Sequence, residues 1–436
     1  MNDMISSQHI AAASGPASAT ASDRSRLDVM NFLNEVAGRF PQAISFASGR
    51  PAEAFFDVQD YPARLPEFVR HLQATRGTSY ESTFNMLAQY GNTNGLINDL
   101  VARQVLIDEG ICCDAAQVIM TAGCQEAMDL CVTTLCEGPD DVLLVRSPTY
   151  IGITGVADLN GIEMVPFSCD EHQDVATQLL GAIVAAEARG KRPRALYLVP
   201  DFDNPTGVVL THEEREAVIT VCAQHGIVVL EDNPYGLFRF EGEAVARMAA
   251  LDQQGCVVYL GTYAKTLCPA LRVGFAIVPP TLFGDAGAAR ALMGRLSQAK
   301  SFVTVNTSQI TQAIVGGVLL AEDFSLARRI EPAIDFYRRN RDAMLEALEA
   351  AFPIDVGVRW NRPQGGFFLA VTLPIDFGHA QAHECAREGV VTMPLSFFAL
   401  NDAENRRVRL AFSNSDPERV REGVARFGRY VRRLLA

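Results

Sequence analysis

Between Gln117 and Val278 the chain alternates short, β-branched apolar runs with longer amphipathic stretches, and this pattern restricts the possible folds more than any other feature. The runs Gln117–Thr121, Val142–Val145, Glu163–Phe167, Ala195–Val199, Gly226–Leu230, Cys256–Gly261 and Val273–Val278 have strand length. Helical segments such as Gln125–Cys136 and His212–His225 fall between several of them. Parallel strands need long crossover connections, usually helices, so the alternation predicts an α/β fold with a mostly parallel central sheet covered on both faces. Ligands of such sheets collect beyond the carboxyl ends of the strands. The residues just after each run are therefore the candidates for chemistry.

The flanking sequence divides the rest. Residues 1–25, rich in Ser, Ala, Thr and Gln, read as a tail without packed structure. Residues 26–84 read as an N-terminal segment that completes a smaller domain, 85–310 as the large domain, and 311–436 as the smaller α+β domain. The last of these carries a long helical stretch, Asp323–Phe352, with Arg328, Arg329, Arg338, Arg339 and Arg341 expected on exposed faces. Two strand-like runs, Phe367–Val371 and Val408–Phe412, and a final helix from Pro417 complete it.

Charge and composition exclude several function classes. A net charge of −13 with no basic stripe argues against a nucleic-acid surface. No apolar run approaches the ~20 residues of a membrane span, and the N-terminus lacks the basic and apolar regions of a secretory signal. Ten cysteines without a C-x-x-C pair read as reduced, mostly buried thiols of a cytoplasmic protein, the vicinal Cys112-Cys113 included, and no metal site is expected.

Four stretches follow candidate strands, and each offers a different group. Thr121-Ala122-Gly123-Cys124-Gln125 opens a helix with free backbone N–H groups, an anion-binding geometry. Ser147-Pro148-Thr149-Tyr150 places an aromatic ring able to stack on a planar heterocycle or simply to pack. Asp201-Phe202-Asp203-Asn204-Pro205-Thr206-Gly207 reads as a turn that presents the Asn204 amide. Glu231-Asp232-Asn233-Pro234-Tyr235 sets a carboxylate at the end of an apolar strand, which is costly unless it meets a cation or caps a helix. Gly261-Thr262-Tyr263-Ala264-Lys265 then delivers an amine, with Arg272 seven residues on. The chain has only three lysines. Lys191 lies in a basic loop and Lys300 near a helix end, which leaves Lys265 as the residue for covalent chemistry. Limited solvent beyond a buried strand favours a neutral, nucleophilic amine. Asn204, Asp232 and Lys265 are spaced as three successive strand–helix units. Together the groups supply what pyridoxal phosphate requires: an anchor, a stacking ring, ring-nitrogen and phenolate partners, and an amine.

On these motifs the sequence resembles the fold-type I pyridoxal-phosphate enzymes of the class I/II aminotransferase (aspartate aminotransferase-like) family, over nearly all of residues 40–430. Asp201–Gly207 and Arg362-Pro363-Gln364-Gly365-Gly366-Phe367 are similar to the aminoadipate, valine–pyruvate and aromatic aminotransferase-like group. The resemblance implies an aminotransferase that moves an amino group between an α-amino acid and a 2-oxo acid. Lys265 would form the aldimine with pyridoxal 5'-phosphate and shuttle a proton. Asp232 would pair with the ring nitrogen, Asn204 and Tyr235 would bind the phenolate, and Tyr150 would stack on the ring. Gly123, Cys124, Gln125, Thr262 and Arg272 would hold the phosphate, and Tyr90 would reach it from a neighbouring subunit, implying a homodimer with shared sites. Arg409 would clamp the substrate carboxylate, although Arg407 shares its strand face. Ala264, Cys124, Cys268 and Leu395 depart from the family's usual residues, and Arg50 replaces an apolar one in the substrate loop, where it reads either as a second anion site or as a surface ion pair. These departures keep open an alternative outcome of the same cofactor chemistry: elimination or replacement, cyclisation, or carbon–carbon bond formation. A cofactor-binding regulator would need an N-terminal DNA-binding domain, for which residues 1–40 are too short and too poor in basic residues.

Overall fold

The structure, a computed structural model, describes residues 38–168, 174–400 and 404–436. The expected N-terminal tail and Cys169 lie outside these residues. Strands in chain order are β1 (Ile44–Ser45), β2 (Val118–Thr121), β3 (Asp141–Ser147), β4 (Glu163–Ser168), β5 (Arg192–Leu198), β6 (Val228–Asp232), β7 (Val257–Thr262), β8 (Gly274–Ile277), β9 (Arg359–Trp360), β10 (Phe368–Thr372), β11 (Val390–Val391), β12 (Met393–Pro394) and β13 (Arg407–Ala411).

A seven-stranded sheet in the order β2-β8-β7-β6-β5-β3-β4 forms the centre. Its middle strands are Val- and Leu-rich and buried on both faces, as a sheet with helices on either side demands. Pairing is parallel from β4 through β7, and only β8 runs against its neighbours. That reversal is a departure from a simple succession of strand–helix units. It brings the amino end of β8, rather than its carboxyl end, to the rim where the other strands finish, with Gly274 opposite both Thr121 and Thr262.

Helix starts follow local chemistry. Thr211 and Glu214 form a reciprocal capping box ahead of His212–Gln224. Asp416 caps Pro417–Leu435, whose apolar stripe packs on the long helix Ala327–Ala351. Arg341, expected on an exposed face of that long helix, is instead buried. Its guanidinium meets Glu241 at 3.0 Å and the Pro363 carbonyl at 2.7 Å, because the helix face it occupies is covered by the segment that precedes β10. A second, antiparallel sheet has the order β12-β13-β10-β9, and β1 pairs in parallel with β11. The vicinal cysteines depart from expectation too: Cys112 is exposed and Cys113 half-buried, since they sit in the loop after Asn98–Glu109 rather than in a strand. No described helix is long and apolar enough to cross a membrane.

Candidate active site

The ends of β2, β3, β5, β6 and β7 and the start of β8 meet at one rim of the central sheet. With the loop Ala47–Arg50 and the residues Phe368, Phe398 and Arg409, they enclose a cavity of about 470 Å³, within the usual range of small-molecule sites.

Lys265 reaches this cavity from a tight turn after β7, in which the Ala264 N–H donates to Thr262 Oγ1 at 3.1 Å. Its Nζ donates to the Gly49 carbonyl at 3.0 Å. Burial lowers its pKa from 10.5 to about 8; the nearby Asp232 acts in the opposite sense, and the Arg409 charge lowers it further. The other two lysines are engaged elsewhere. Lys191 is ion-paired with Asp140 and Glu163, and Lys300 is fully buried against Glu126.

Asp232 is the last residue of β6, not a loop residue, and the strand holds it rigidly. Tyr197 on β5 donates its hydroxyl to Oδ2 at 2.6 Å, and the Cys124 thiol donates to Oδ1 at 3.3 Å. Burial raises the carboxyl to about 6, against the lowering effect of both hydrogen bonds and of Lys265. The arrangement presents a buried carboxylate poised to hold a proton on a ligand.

The turn after β2 opens the helix Cys124–Leu135. Gly123 adopts φ +84°, a backbone conformation that favours glycine, and a Cβ there would sit 2.3 Å from Arg272 Nη2 and displace the guanidinium. Arg272, just ahead of β8, donates to the Ala122 carbonyl at 3.1 Å. Behind the turn, Glu126 accepts the Ala122 N–H. Gln125 lines the cavity and donates to the Gly152 carbonyl at 2.9 Å.

Asn204, Tyr150 and Tyr235 also line the cavity. Burial pushes the Tyr150 hydroxyl up to about 12 and that of Tyr235 higher, so both remain protonated donors. Asn204 Oδ1 accepts from Arg409 Nη1 at 2.6 Å, and Arg409 Nη2 donates to the Ala47 carbonyl. Arg407 and Arg409, left unseparated by strand periodicity, separate here. Arg407 pairs with Glu404 at 3.2 Å, while Arg409 is buried in the cavity wall. The Arg409 guanidinium lies between the rings of Phe368 and Phe398, at 4.4 and 4.6 Å from their centroids. Among the described residues it has no carboxylate partner, its Nε is unbonded, and burial lowers its pKa to about 10. Arg50 is exposed and lines the cavity, with no ion pair among the described residues. Tyr90 lies outside the cavity and is 84% exposed.

Three features escaped the sequence. Tyr197 sits inside an aliphatic strand and reads as packing. Phe398 comes from a loop far along the chain, with no periodic signal. Glu126, in the first turn of Cys124–Leu135, reads as an ordinary helix-start acid; its only signal is its position four residues after Ala122.

Comparison with known proteins places these features in context. Residues 56–427 match the family described as aminotransferase class I and II. The (S)-3,5-dihydroxyphenylglycine transaminase of Amycolatopsis orientalis is 38% identical, over 92% of this chain and 91% of that protein. The multiple substrate aminotransferase of Thermococcus profundus superposes with a TM-score of 0.79 at 27% identity, over 93% of this chain and 94% of its own. The kynurenine aminotransferase of Pyrococcus horikoshii, solved in complex with PMP, superposes with a TM-score of 0.79 at 27% identity, over 94% of this chain and 95% of its own.

Proposed function

Because the chain belongs to the class I and II aminotransferase family and is an aminotransferase, we propose that it works with pyridoxal 5'-phosphate held at the rim cavity, on an α-amino acid with an aryl side chain and a 2-oxo acid acceptor. One observation carries this reading: an amine of lowered pKa, a buried carboxylate and a buried guanidinium without a carboxylate partner converge on one cavity.

The residues present fit the group. The turn at Gly123 brings the start of the helix Cys124–Leu135 against the Arg272 guanidinium, so helix-start N–H groups and a cation stand together as a phosphate requires, and the cavity joins that turn to Lys265 and Asp232. Bound there, pyridoxal phosphate supplies an aldehyde that takes up the amino group and a ring that withdraws electrons from the substrate Cα. Lys265 would be the residue that holds the cofactor through its amine and would move a proton to and from the substrate Cα. Asp232 keeps the proton on the ring nitrogen. Asn204 and Tyr235 donate to the phenolate oxygen, and Tyr150 covers the ring. The backbone from Gly123 to Gln125, with Thr262 and Arg272, holds the phosphate.

Arg409 receives the α-carboxylate. A planar guanidinium meets a carboxylate in a bidentate fork, and the flanking Phe368 and Phe398 fix its plane. The same rings, with Tyr150 and Ile151, give the substrate side chain an aromatic and apolar wall. The dihydroxyphenylglycine transaminase likeness supports an aryl group there. Arg50 at the rim meets its polar substituents. The working assembly is a homodimer in the cytoplasm, with Tyr90 completing the phosphate site of the partner subunit.

Borohydride reduction of the purified enzyme tests the cofactor assignment. Wild type should retain a covalently bound pyridoxyl group and Lys265→Ala should not; label on Lys191 or Lys300 would overturn it. Mixing the enzyme with single amino acids and no acceptor tests the substrate class. Arylglycines and aromatic amino acids should convert the bound cofactor to its amine form faster than 2-aminoadipate does. Preference for the dicarboxylate would transfer Arg50 to a carboxylate-binding role and sink the aryl assignment.

A further inference from the structure

Behind the turn Ala122–Gln125 lies a buried ion pair that the chemistry described so far does not use. Lys300, on the helix Ala286–Val303, is fully buried, and its Nζ donates to both Glu126 carboxylate oxygens at 3.0 Å and to Thr304 Oγ1 at 2.9 Å. Thr304 in turn donates to Glu126 Oε1. The second oxygen, Oε2, accepts the Ala122 N–H, while the carbonyl of the same residue accepts from Arg272. Ala122 is thereby held on both sides, by Glu126 from below the rim and by Arg272 from above it. The next three N–H groups, those of Gly123, Cys124 and Gln125, take their direction from it.

The charge balance is as telling as the geometry. Glu126 stands in the first turn of Cys124–Leu135. An unpaired carboxylate there would repel any anion bound at the same helix start. A buried charge of that kind requires a partner. Lys300 cancels the charge and leaves the carboxylate free to act as a hydrogen-bond acceptor for Ala122.

We propose that Glu126 and Lys300 are positioning residues for phosphate: Glu126 aims the turn, and Lys300 neutralises Glu126 so that the turn remains attractive to a dianion. This rests on the reading of Gly123–Gln125 as the phosphate site.

The test compares two ligands that share an aldehyde and differ by the phosphate, pyridoxal 5'-phosphate and pyridoxal, titrated against cofactor-free enzyme. In Glu126→Leu/Lys300→Met the charges leave together, so the variant should fold, with a thermal midpoint close to wild type. It should bind pyridoxal 5'-phosphate at least ~10-fold more weakly, the scale of one hydrogen bond to a charged group, and pyridoxal with unchanged affinity. Glu126→Gln/Lys300→Met keeps an acceptor for the Ala122 N–H and should restore most of the lost affinity. Lys300→Met alone, which uncovers the carboxylate charge, should be the weakest phosphate binder of the set, and high salt, which screens that repulsion, should narrow its deficit against wild type for pyridoxal 5'-phosphate while leaving pyridoxal binding unchanged. Equal phosphate affinity in wild type and Glu126→Leu/Lys300→Met, or parallel loss of both ligands with a lowered midpoint, would overturn the proposal. If wild type itself binds both ligands alike, the phosphate assignment fails instead.

Discussion

Burial and neighbouring charge act in opposite senses on Lys265, and burial prevails: its pKa falls from 10.5 to about 8 even though Asp232 favours the ammonium. A folded-state pKa below the unfolded one means that the native state binds fewer protons between those two values. Stability gained from this residue therefore rises with pH from about 8 to 10.5. The same shift sets reactivity, since only the neutral amine attacks an aldehyde. Capture of pyridoxal phosphate by the cofactor-free enzyme should accelerate as pH passes through about 8. Asp232→Asn removes the charge that holds the proton on, so the midpoint of that rate profile should move down; stopped-flow absorbance against pH reads it directly. Asp232 shifts the other way, up to about 6, and would lie higher without the Tyr197 hydroxyl. Since a protonated Asp232 cannot pair with a protonated ring nitrogen, cofactor affinity should decline on the acid side. In Tyr197→Phe that decline should begin at higher pH. An acid limb unchanged by the substitution would show that Tyr197 only packs.

The elements explain which of these residues are visible in a sequence. Asn204, Asp232 and Lys265 follow apolar runs whose spacing reveals parallel strands, and parallel strands finish on one edge, so their chemistry can be placed without coordinates. Arg272 obeys a different logic. It reaches the same rim only because β8 runs antiparallel, and nothing in Val273–Val278 signals a reversal of direction. Tyr197 and Glu126 act from within a strand and a helix, where polar side chains resemble ordinary packing or capping. Arg341 shows the reverse error: a charged residue in an arginine-rich helix reads as solvated, yet Glu241 and the Pro363 carbonyl make its burial tolerable. Arg409 depends on two elements at once. β13 supplies the guanidinium opposite Ala370, while β10 and the loop at Phe398 supply the rings on either side. Lysine would retain the charge but lose the planar fork. Arg409→Lys should therefore raise KM for amino acid and 2-oxo acid by about 10- to 100-fold, the equivalent of one charged hydrogen bond, with kcat reduced less. Steady-state kinetics with both substrates distinguishes this from a loss confined to kcat, which would place Arg409 outside carboxylate binding.

At the scale of the whole molecule, the described surface carries apolar residues that a solitary chain has little reason to expose. Tyr90 and Phe302 are each 84% exposed, with Val303 at 56% and Ile310 at 51%. Gly91 leaves no room for a side chain against Gln309, so the Tyr90 segment lies beside the start of the helix that carries Ile310. Tyr90 and Ile310, exposed on neighbouring segments, mark an interaction surface, and a second copy of the chain is the simplest partner. If Tyr90 serves the partner's phosphate, the two subunits must each lend the other a residue. Co-expression of a Lys265→Ala chain with a Tyr90→Ala chain then gives a sharp expectation. In the mixed dimer one site receives Lys265 from one chain and Tyr90 from the other, and is intact, while the second site lacks both. Purified through two different tags, mixed dimers should show about half the activity of wild type, where neither parent dimer approaches it. Phe302→Asp, which sets a charge in the apolar face, should shift the chain toward monomer in analytical ultracentrifugation and lower affinity for the cofactor. Mixed dimers no more active than the Tyr90→Ala parent would mean that each chain completes its own site, and that the exposed tyrosine has another task.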